Sequence, residues 1–310
     1  MNLPKSLLDC VGQTPLVKLS GLIDNPNISL FAKLEGQNPT GSIKDRIAKA
    51  IVEDAEKRGA LRPGDTLVEA STGNTAIALA MVARQKGYRL VVVIPQEVAP
   101  SIHDVLEHFD VETSYCDQCK SMSDAITLAE ELASTHGWHP IRQFESPLNL
   151  QAHYNGTGPE IAATLNPVDV LVAGIGTGGT LMGTGKRLRE HNEGLKLIGV
   201  EPKMGEKLQG LRCIEEGFRP PLLDLNELDA RYLVSSADAM KRTREVVRGD
   251  GVLAGISSGA ALHAAIRYSE RMERGNIVVI FSDGAWKYLP SRPWMAAEAD
   301  DPSLDDTHWW

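Results

Sequence analysis

Asn38-Pro-Thr-Gly-Ser-Ile-Lys44-Asp-Arg46 places a lysine at the start of a helix-like run, just after a Gly-containing turn. A strand-like run from Ile28 to Leu34 precedes it. Strand, tight turn and helix form the repeating unit of open parallel sheets, where ligands gather at strand carboxyl ends opposite helix N-termini. A lysine in a first helical turn is ordinarily a solvated charge. Here Thr40-Gly41 allows a close approach, and Ser42 with Asp45 reads as a capping box that would fix the direction of Lys44.

The same unit recurs outward from this stretch. Thr66 to Glu69, Leu90 to Ile94, Val168 to Ala173, Leu197 to Val200 and Ile277 to Phe281 are apolar with little alternation, as strands covered on both faces should be. Amphipathic runs separate them: Ile43 to Lys57, Asn74 to Lys86, Asp124 to Ala133, Leu181 to His191, Ala237 to Arg248 and Gly259 to Met272. The expected class is α/β, with open, mostly parallel sheets flanked by helices. From Pro290 onward the pattern stops, and Pro290, Pro293 and Pro302 punctuate an acidic tail ending His308-Trp309-Trp310. That tail either docks near a site or partner, or is a disordered end.

Loops after the strands carry the chemistry. Ser71-Thr-Gly-Asn-Thr75 puts hydroxyls and an amide at a helix start, where they would grip a carboxylate without a cation or simply cap the helix. In Gly176-Thr-Gly-Gly-Thr180, glycines let backbone N–H groups close on an anion at a helix N-terminus; alone, it is also a plain turn. It lacks the Gly-Lys-Ser/Thr ending of a P-loop and is not GxGxxG. A lysine, a carboxylate-type loop and a phosphate-type loop, in that order, are the parts a pyridoxal phosphate enzyme needs.

Composition bounds the alternatives. The 310 residues suffice for two ordinary domains, and 42% hydrophobic with 24% charged residues is globular usage. A formal net charge of −9 with no basic block argues against a nucleic-acid surface. No apolar run approaches a membrane span, and no signal-peptide core follows Met1, so the expected compartment is the cytoplasm. The four cysteines are accordingly expected to be reduced, with Cys116-Asp-Gln-Cys119 read as two thiols beside a loop rather than a redox pair. No metal site is expected.

Taken together, these motifs resemble the cysteine synthase family of fold-type II pyridoxal phosphate enzymes, from about Leu7 to Leu289. Gly12-Gln-Thr-Pro-Leu-Val-Lys-Leu19 is similar to the family's opening, and Lys33 to Arg46 to its Schiff-base segment. Gln143-Phe-Glu, His153-Tyr, Thr157-Gly-Pro-Glu-Ile161 and Gly255-Ile-Ser-Ser-Gly259 resemble later segments. Gly210-Leu-Arg212 and Asp283 to Leu289 are most similar to the B-type cysteine synthases and the related O-phosphoserine sulfhydrylases.

The resemblance implies two twisted sheets in the tryptophan synthase β-like arrangement. It implies a large cofactor-binding domain (1–39 and 148–290), a smaller mobile domain closing over substrate (40–147) and a tail (291–310). Lys44 would be the Schiff-base lysine and the acid/base at Cα. Asn74 would contact the cofactor's ring hydroxyl, Gly176, Thr177, Gly178, Gly179 and Thr180 its phosphate, and Ser257 its ring nitrogen. Ser71, Thr72, Thr75 and Gln143 would hold the substrate carboxylate. Arg212 would grip a substrate phosphate, or else pair with Glu215 or Glu216. His103 and His153 are further polar groups expected near the site.

The implied activity is β-replacement giving L-cysteine from O-acetylserine or O-phosphoserine and a sulfur donor, in a homodimer. Alternatives are a cystathionine β-synthase-like condensation of serine with homocysteine, and a catalytically idle cofactor-binding partner or sensor protein. The chain departs from the family pattern at Ser71-Thr72 and Ala76, along Pro95 to Asp104, and at Asp110, where a glycine is usual.

Overall fold

The computed structural model describes residues 3–95, 100–116, 118, 119 and 121–291. The tail with Trp309 and Trp310, and Ala99 of the atypical segment, lie outside the described residues. In chain order the elements are β1 (Leu16–Leu19), β2 (Ile28–Leu34), α1 (Lys44–Lys57), β3 (Thr66–Ala70), α2 (Asn74–Lys86), β4 (Arg89–Pro95), α3 (Pro100–His108), β5 (Glu112–Cys116), α4 (Met122–His136) and β6 (His139–Pro140). Then follow α5 (Pro147–Ala152), α6 (Gly158–Thr164), β7 (Val170–Gly174), α7 (Gly179–Arg189), β8 (Lys196–Pro202), β9 (Ala230–Val234), α8 (Ser236–Asp250), α9 (Ile256–Ser269) and β10 (Gly275–Phe281).

The strands form two sheets, in the orders β1-β2-β10-β7-β8-β9 and β5-β4-β3-β6. Among the described strands, only the β1–β2 pair is antiparallel. Both sheets are covered on both faces, which is why their central strands are apolar without alternation. In the first sheet, Val170 and Val172 join Ala260, Ala261 and Ala264 of α9 in one core, while Leu171 and Ala173 join Leu181 and Met182 of α7 in another. In the second, Leu67 and Val92 pack toward α1 and α2, and Val68 and Val93 toward α4.

Topology places the site. β2, β10 and β7 are neighbours and run parallel, so their carboxyl ends bring the Lys44 turn, the residues from Asp283 and the Gly176 loop to one side of the first sheet. β3 delivers Ser71 to Thr75 from the second sheet.

Three expectations are corrected. Cys116 and Cys119 form a disulfide rather than two free thiols; the chain turns back after β5, Cys119 N–H donates to Cys116 O at 3.2 Å, and the Cα atoms come within 5.3 Å, an ordinary disulfide span. Cys10 and Cys213 are free. The Ser42–Asp45 capping box does not form. Ser42 is drawn into a bridge with Asp283, and the Asp45 carboxylate instead accepts from Thr40 N (2.7 Å) and the Thr40 hydroxyl. Finally, β1, β5, β6, β9, α3, α5 and α6 lie where the sequence suggested no element. No helix among the described residues is long and apolar enough to cross a membrane.

Candidate active site

Lys44 opens α1, and what precedes it is held rigidly. Gly41 has φ +80°, and a side chain there would collide with Trp286. Two residues on, Arg46 enters a buried charge cluster. Its Nε donates to Glu35 Oε2 (2.7 Å) and its Nη2 to Glu160 Oε2 (2.7 Å); Lys33 Nζ also meets Glu160 Oε2 (2.7 Å). Two cations balance two carboxylates, so the desolvated charges are paired and hydrogen-bonded, the condition for tolerating them in a core. Burial alone would raise the Glu160 carboxyl, but Arg46 and Lys33 hold it down at about 2. The cluster extends to Thr14, Asn38 and the Gly12–Gln13 backbone. It thereby knits the opening motif, the lysine segment and the Thr157–Ile161 motif into one support for α1.

One cavity is lined by Lys44, Ser71, Thr72, Asn74, Thr75, Gln143, Gly176, Thr177 and Arg212. Residues from both sheets and from segments far apart in sequence therefore meet. Gly178, Gly179, Thr180 and Ser257 are not among its lining residues. The first three carry the loop into α7, and Ser257 is buried in the first turn of α9. The Lys44 backbone N–H donates to Ser42 Oγ at 3.3 Å, while its side-chain amine makes no hydrogen bond or ion pair among the described residues. Burial pulls its amine down to about 8, Asp283 opposes this, and Arg212 adds to it. An amine so placed is available as a nucleophile or base near neutral pH.

The Gly176 loop suits a phosphate. Gly178 has φ +84°, and an added Cβ at Gly176 would lie 2.8 Å from Gly210 O. At Gly179 it would overlap Asn149 Oδ1, a buried acceptor with no partner among the described residues. The amides of Gly176, Thr177, Gly178 and Thr180 have no acceptor among the described residues and lie at the N-terminus of α7. Thr177 Oγ1 is fixed by Asn149 Nδ2 at 2.9 Å, and Thr180 Oγ1 contacts His153 Nε2 at 3.3 Å. His153, whose Nδ1 meets Thr157 Oγ1 at 3.0 Å, is held well below its ordinary pKa by burial, then by Arg46 and Lys44. It is a neutral strut behind the loop. His103 lies elsewhere, facing Glu107 and stacked near Tyr115.

The Ser71 loop is built differently. Ser71 Oγ accepts from Gly73 N (3.3 Å) and Ala76 N (3.2 Å), capping α2. Thr75 Oγ1 donates to Gln143 Oε1 at 2.6 Å. Thr72 has no hydrogen-bond partner among the described residues. Arg212 carries no ion pair among them either: Glu215 pairs with Arg231, and Glu216 accepts from Gly205 N. Burial lowers the Arg212 pKa, with Glu216 opposing.

Sequence reasoning missed several neighbours. Asn74 Nδ2 donates to Asp283 Oδ2 (2.7 Å), and Lys287 Nζ to Asn74 Oδ1 (2.5 Å), which fixes the Asn74 amide. Asn149, Gln209 and Phe144 were also unassigned. Lys287, between Trp286 and Tyr288, reads as a surface lysine, and only its chain-distant partner reveals otherwise.

The model of the family described as pyridoxal-phosphate dependent enzyme matches residues 7–283. The chain belongs to that family. Its cofactor is pyridoxal phosphate, which the lysine and the amide-lined loop fit. A cysteine synthase of Staphylococcus aureus is 38% identical over 294 residues, covering 92% of this chain and 95% of the relative. Cysteine synthase B of Pseudomonas aeruginosa is 36% identical over 287 residues, covering 92% and 96%. Among solved structures, O-ureido-L-serine synthase superposes with a TM-score of 0.90 at 32% identity, covering 98% of this chain and all of that one (100%).

Proposed function

We propose that this chain makes L-cysteine by pyridoxal-phosphate-dependent β-replacement, from an activated serine and a sulfur donor. The observation that carries this reading is the single cavity in which a lysine of lowered pKa faces a hydroxyl-rich helix start, a glycine loop and an unpaired arginine. Cysteine synthases are its relatives over nearly the whole chain. Bound pyridoxal phosphate supplies an aldehyde for amine capture and a conjugated ring that accepts electron density from Cα.

In this reading Lys44 anchors the cofactor and, once released, takes the Cα proton. Gly176 to Thr180 receive the phosphate on backbone N–H groups, Asn74 meets the ring hydroxyl, and Ser257 meets the ring nitrogen. A neutral serine there does not hold a pyridinium as a carboxylate would, which favours β-elimination over transamination or racemisation. Ser71, Thr72, Thr75 and Gln143 take the substrate carboxylate. Arg212, without a carboxylate partner, supports O-phosphoserine as the activated serine, since a guanidinium meets phosphate bidentately. The same reading makes residues 40–147 a smaller domain closing on a larger one, and the active unit a cytoplasmic homodimer.

The test supplies holoenzyme with O-acetylserine or O-phosphoserine, each with sulfide, whose product is cysteine, or with thiosulfate, whose product is S-sulfocysteine and is reduced before cysteine is measured. Cysteine from at least one combination is expected. None from any, with the cofactor loaded, overturns the assignment. Arg212→Ala should weaken phosphoserine use selectively; an equal loss on both substrates removes the phosphate role.

A further inference from the structure

We propose that Glu69 is a positioning residue that, by gaining or losing one proton, decides whether Gln143 can turn its amide to a substrate carboxylate. The proposal rests on the cavity binding an amino acid, as above. Glu69 is buried near the end of β3, just before the Ser71 loop. Both the backbone N and the side-chain Nε2 of Gln143 point at its carboxyl, each at 3.3 Å. Gln143 Nε2 also donates to Ala70 O (3.1 Å), and its Oε1 accepts from Thr75 Oγ1 (2.6 Å).

Gln143 and Thr75 both line the cavity, yet their donors are spent on the protein. A carboxylate accepts only; beside Thr72, unpartnered among the described residues, it gains Gln143 as a donor only when that amide is released from Glu69 or Ala70. Ionised Glu69 grips Gln143 Nε2 by a charge-assisted bond and repels an incoming anion. Neutral Glu69 does neither.

The surroundings favour the neutral form. Glu69 lies opposite Val92 of β4, α4 contributes Glu130, and Arg142 and Glu145 follow β6. Arg142 is itself tied to Glu130 through both Nε and Nη2. Burial raises the Glu69 carboxyl to about 8; the Gln143 and Arg142 N–H groups oppose this, and Glu130 adds to the rise. A second cavity of about 390 Å³ reaches Glu69 from the far side, and Phe144 lines both cavities. Proton exchange therefore has a route that does not pass through the substrate site.

The sign follows. Below pH 8 Glu69 is protonated and the carboxylate subsite is competent. Above it, affinity for a carboxylate should fall about tenfold per pH unit, the slope of one linked proton. The experiment titrates holoenzyme with L-alanine, which has no β-leaving group, and with ethylamine, which has the same amine chemistry but no carboxylate. Binding is read by cofactor absorbance from pH 6.5 to 9. Titration of Lys44 and of the ligand amines affects both probes and cancels in the affinity ratio.

The wild-type ratio should be flat to about pH 8 and then fall. In Glu69→Gln it should stay at its low-pH value throughout. Gln143→Ala keeps Glu69 but removes the amide it acts through, so the fall should shrink even where Glu69→Gln fails to fold. A constant wild-type ratio, a parallel fall in Glu69→Gln, or an undiminished fall in Gln143→Ala overturns the proposal. No turnover is measured, so this outcome is separate from whether cysteine is the product.

Discussion

The two loops of the cavity to which we assign anions, from Ser71 and from Gly176, are built on opposite principles. The loop from Gly176 is nearly all backbone: its glycines are sterically required, several amides have no acceptor among the described residues, and Asn149 and His153 brace it from behind. The loop from Ser71 carries more hydroxyls, but Ser71 caps α2 and Thr75 is committed to Gln143. The first is preorganised for its anion, whereas in the second Thr75 and its partner Gln143 must exchange internal bonds for external ones. A resident cofactor suits the first arrangement. A substrate that arrives and leaves suits the second, because the protein's own bonds reform when it goes.

Lys44 stands between the loops, and changing it should have the largest effect. Lys44→Ala should lower turnover on the order of a thousandfold or more, from loss of both the covalent anchor and the base. Borohydride reduction followed by peptide mass spectrometry should label residue 44 in the wild type and leave no label in the variant. If the Gly176 loop is preorganised, cofactor should remain associated non-covalently. Turnover near the wild-type rate would remove Lys44 from its role.

Gly179→Ala tests the preorganised side. The new Cβ would overlap Asn149 Oδ1, and Asn149 cannot retreat without losing its bonds to Gln143 O and Thr177 Oγ1. A stability loss of about 1–3 kcal/mol is expected by chemical denaturation, as for other overpacked sites. Cofactor affinity, read by equilibrium dialysis, should fall more than affinity for the substrate amino acid. The reverse order would mean that the loop does not serve the cofactor.

Ser71→Ala tests the other side. It removes the one hydroxyl that accepts from two N–H groups at the start of α2, an effect of about 1 kcal/mol by analogy with helix caps. The KM for the amino acid should rise while cofactor binding stays the same. A cofactor defect without a KM change would erase the distinction between the loops.

The contrast also explains what the sequence disclosed. Central strands such as Val170 to Gly174 were legible because burial on both faces leaves a continuous apolar run. Strands β5, reading Glu-Thr-Ser-Tyr-Cys, and β9, reading Ala-Arg-Tyr-Leu-Val, are sheet edges with exposed positions, and β6 is two residues long. Both loops were legible because glycine and hydroxyl runs at helix starts have a direct chemical meaning. Glu69, Lys287 and Asn149 were not, since each acts through a partner far along the chain, as Lys287 does through Asn74. The disulfide was missed because compartment, not local geometry, was used to judge Cys116 and Cys119.

The smallest expected effect concerns Asp110, one of the departures from the family's pattern. It sits at φ +55°, where glycine is favoured and other residues lose about 1–2 kcal/mol. Its carboxylate, however, takes Arg84 Nη2 at 2.7 Å, and Arg84 Nε also bonds Phe109 O at 2.7 Å. The ion pair is exposed and worth at most about 1 kcal/mol. Glycine would relieve the backbone but also free the unfolded chain, a loss of about 0.4–1 kcal/mol. These terms offset, so Asp110→Gly should leave stability within about 0.5 kcal/mol by chemical denaturation. Arg84 belongs to α2, the helix that the Ser71 loop opens. An unchanged KM for the amino acid would show that the departure is absorbed locally; a shift of several-fold would show that α2 transmits it to the loop whose bonds must rearrange.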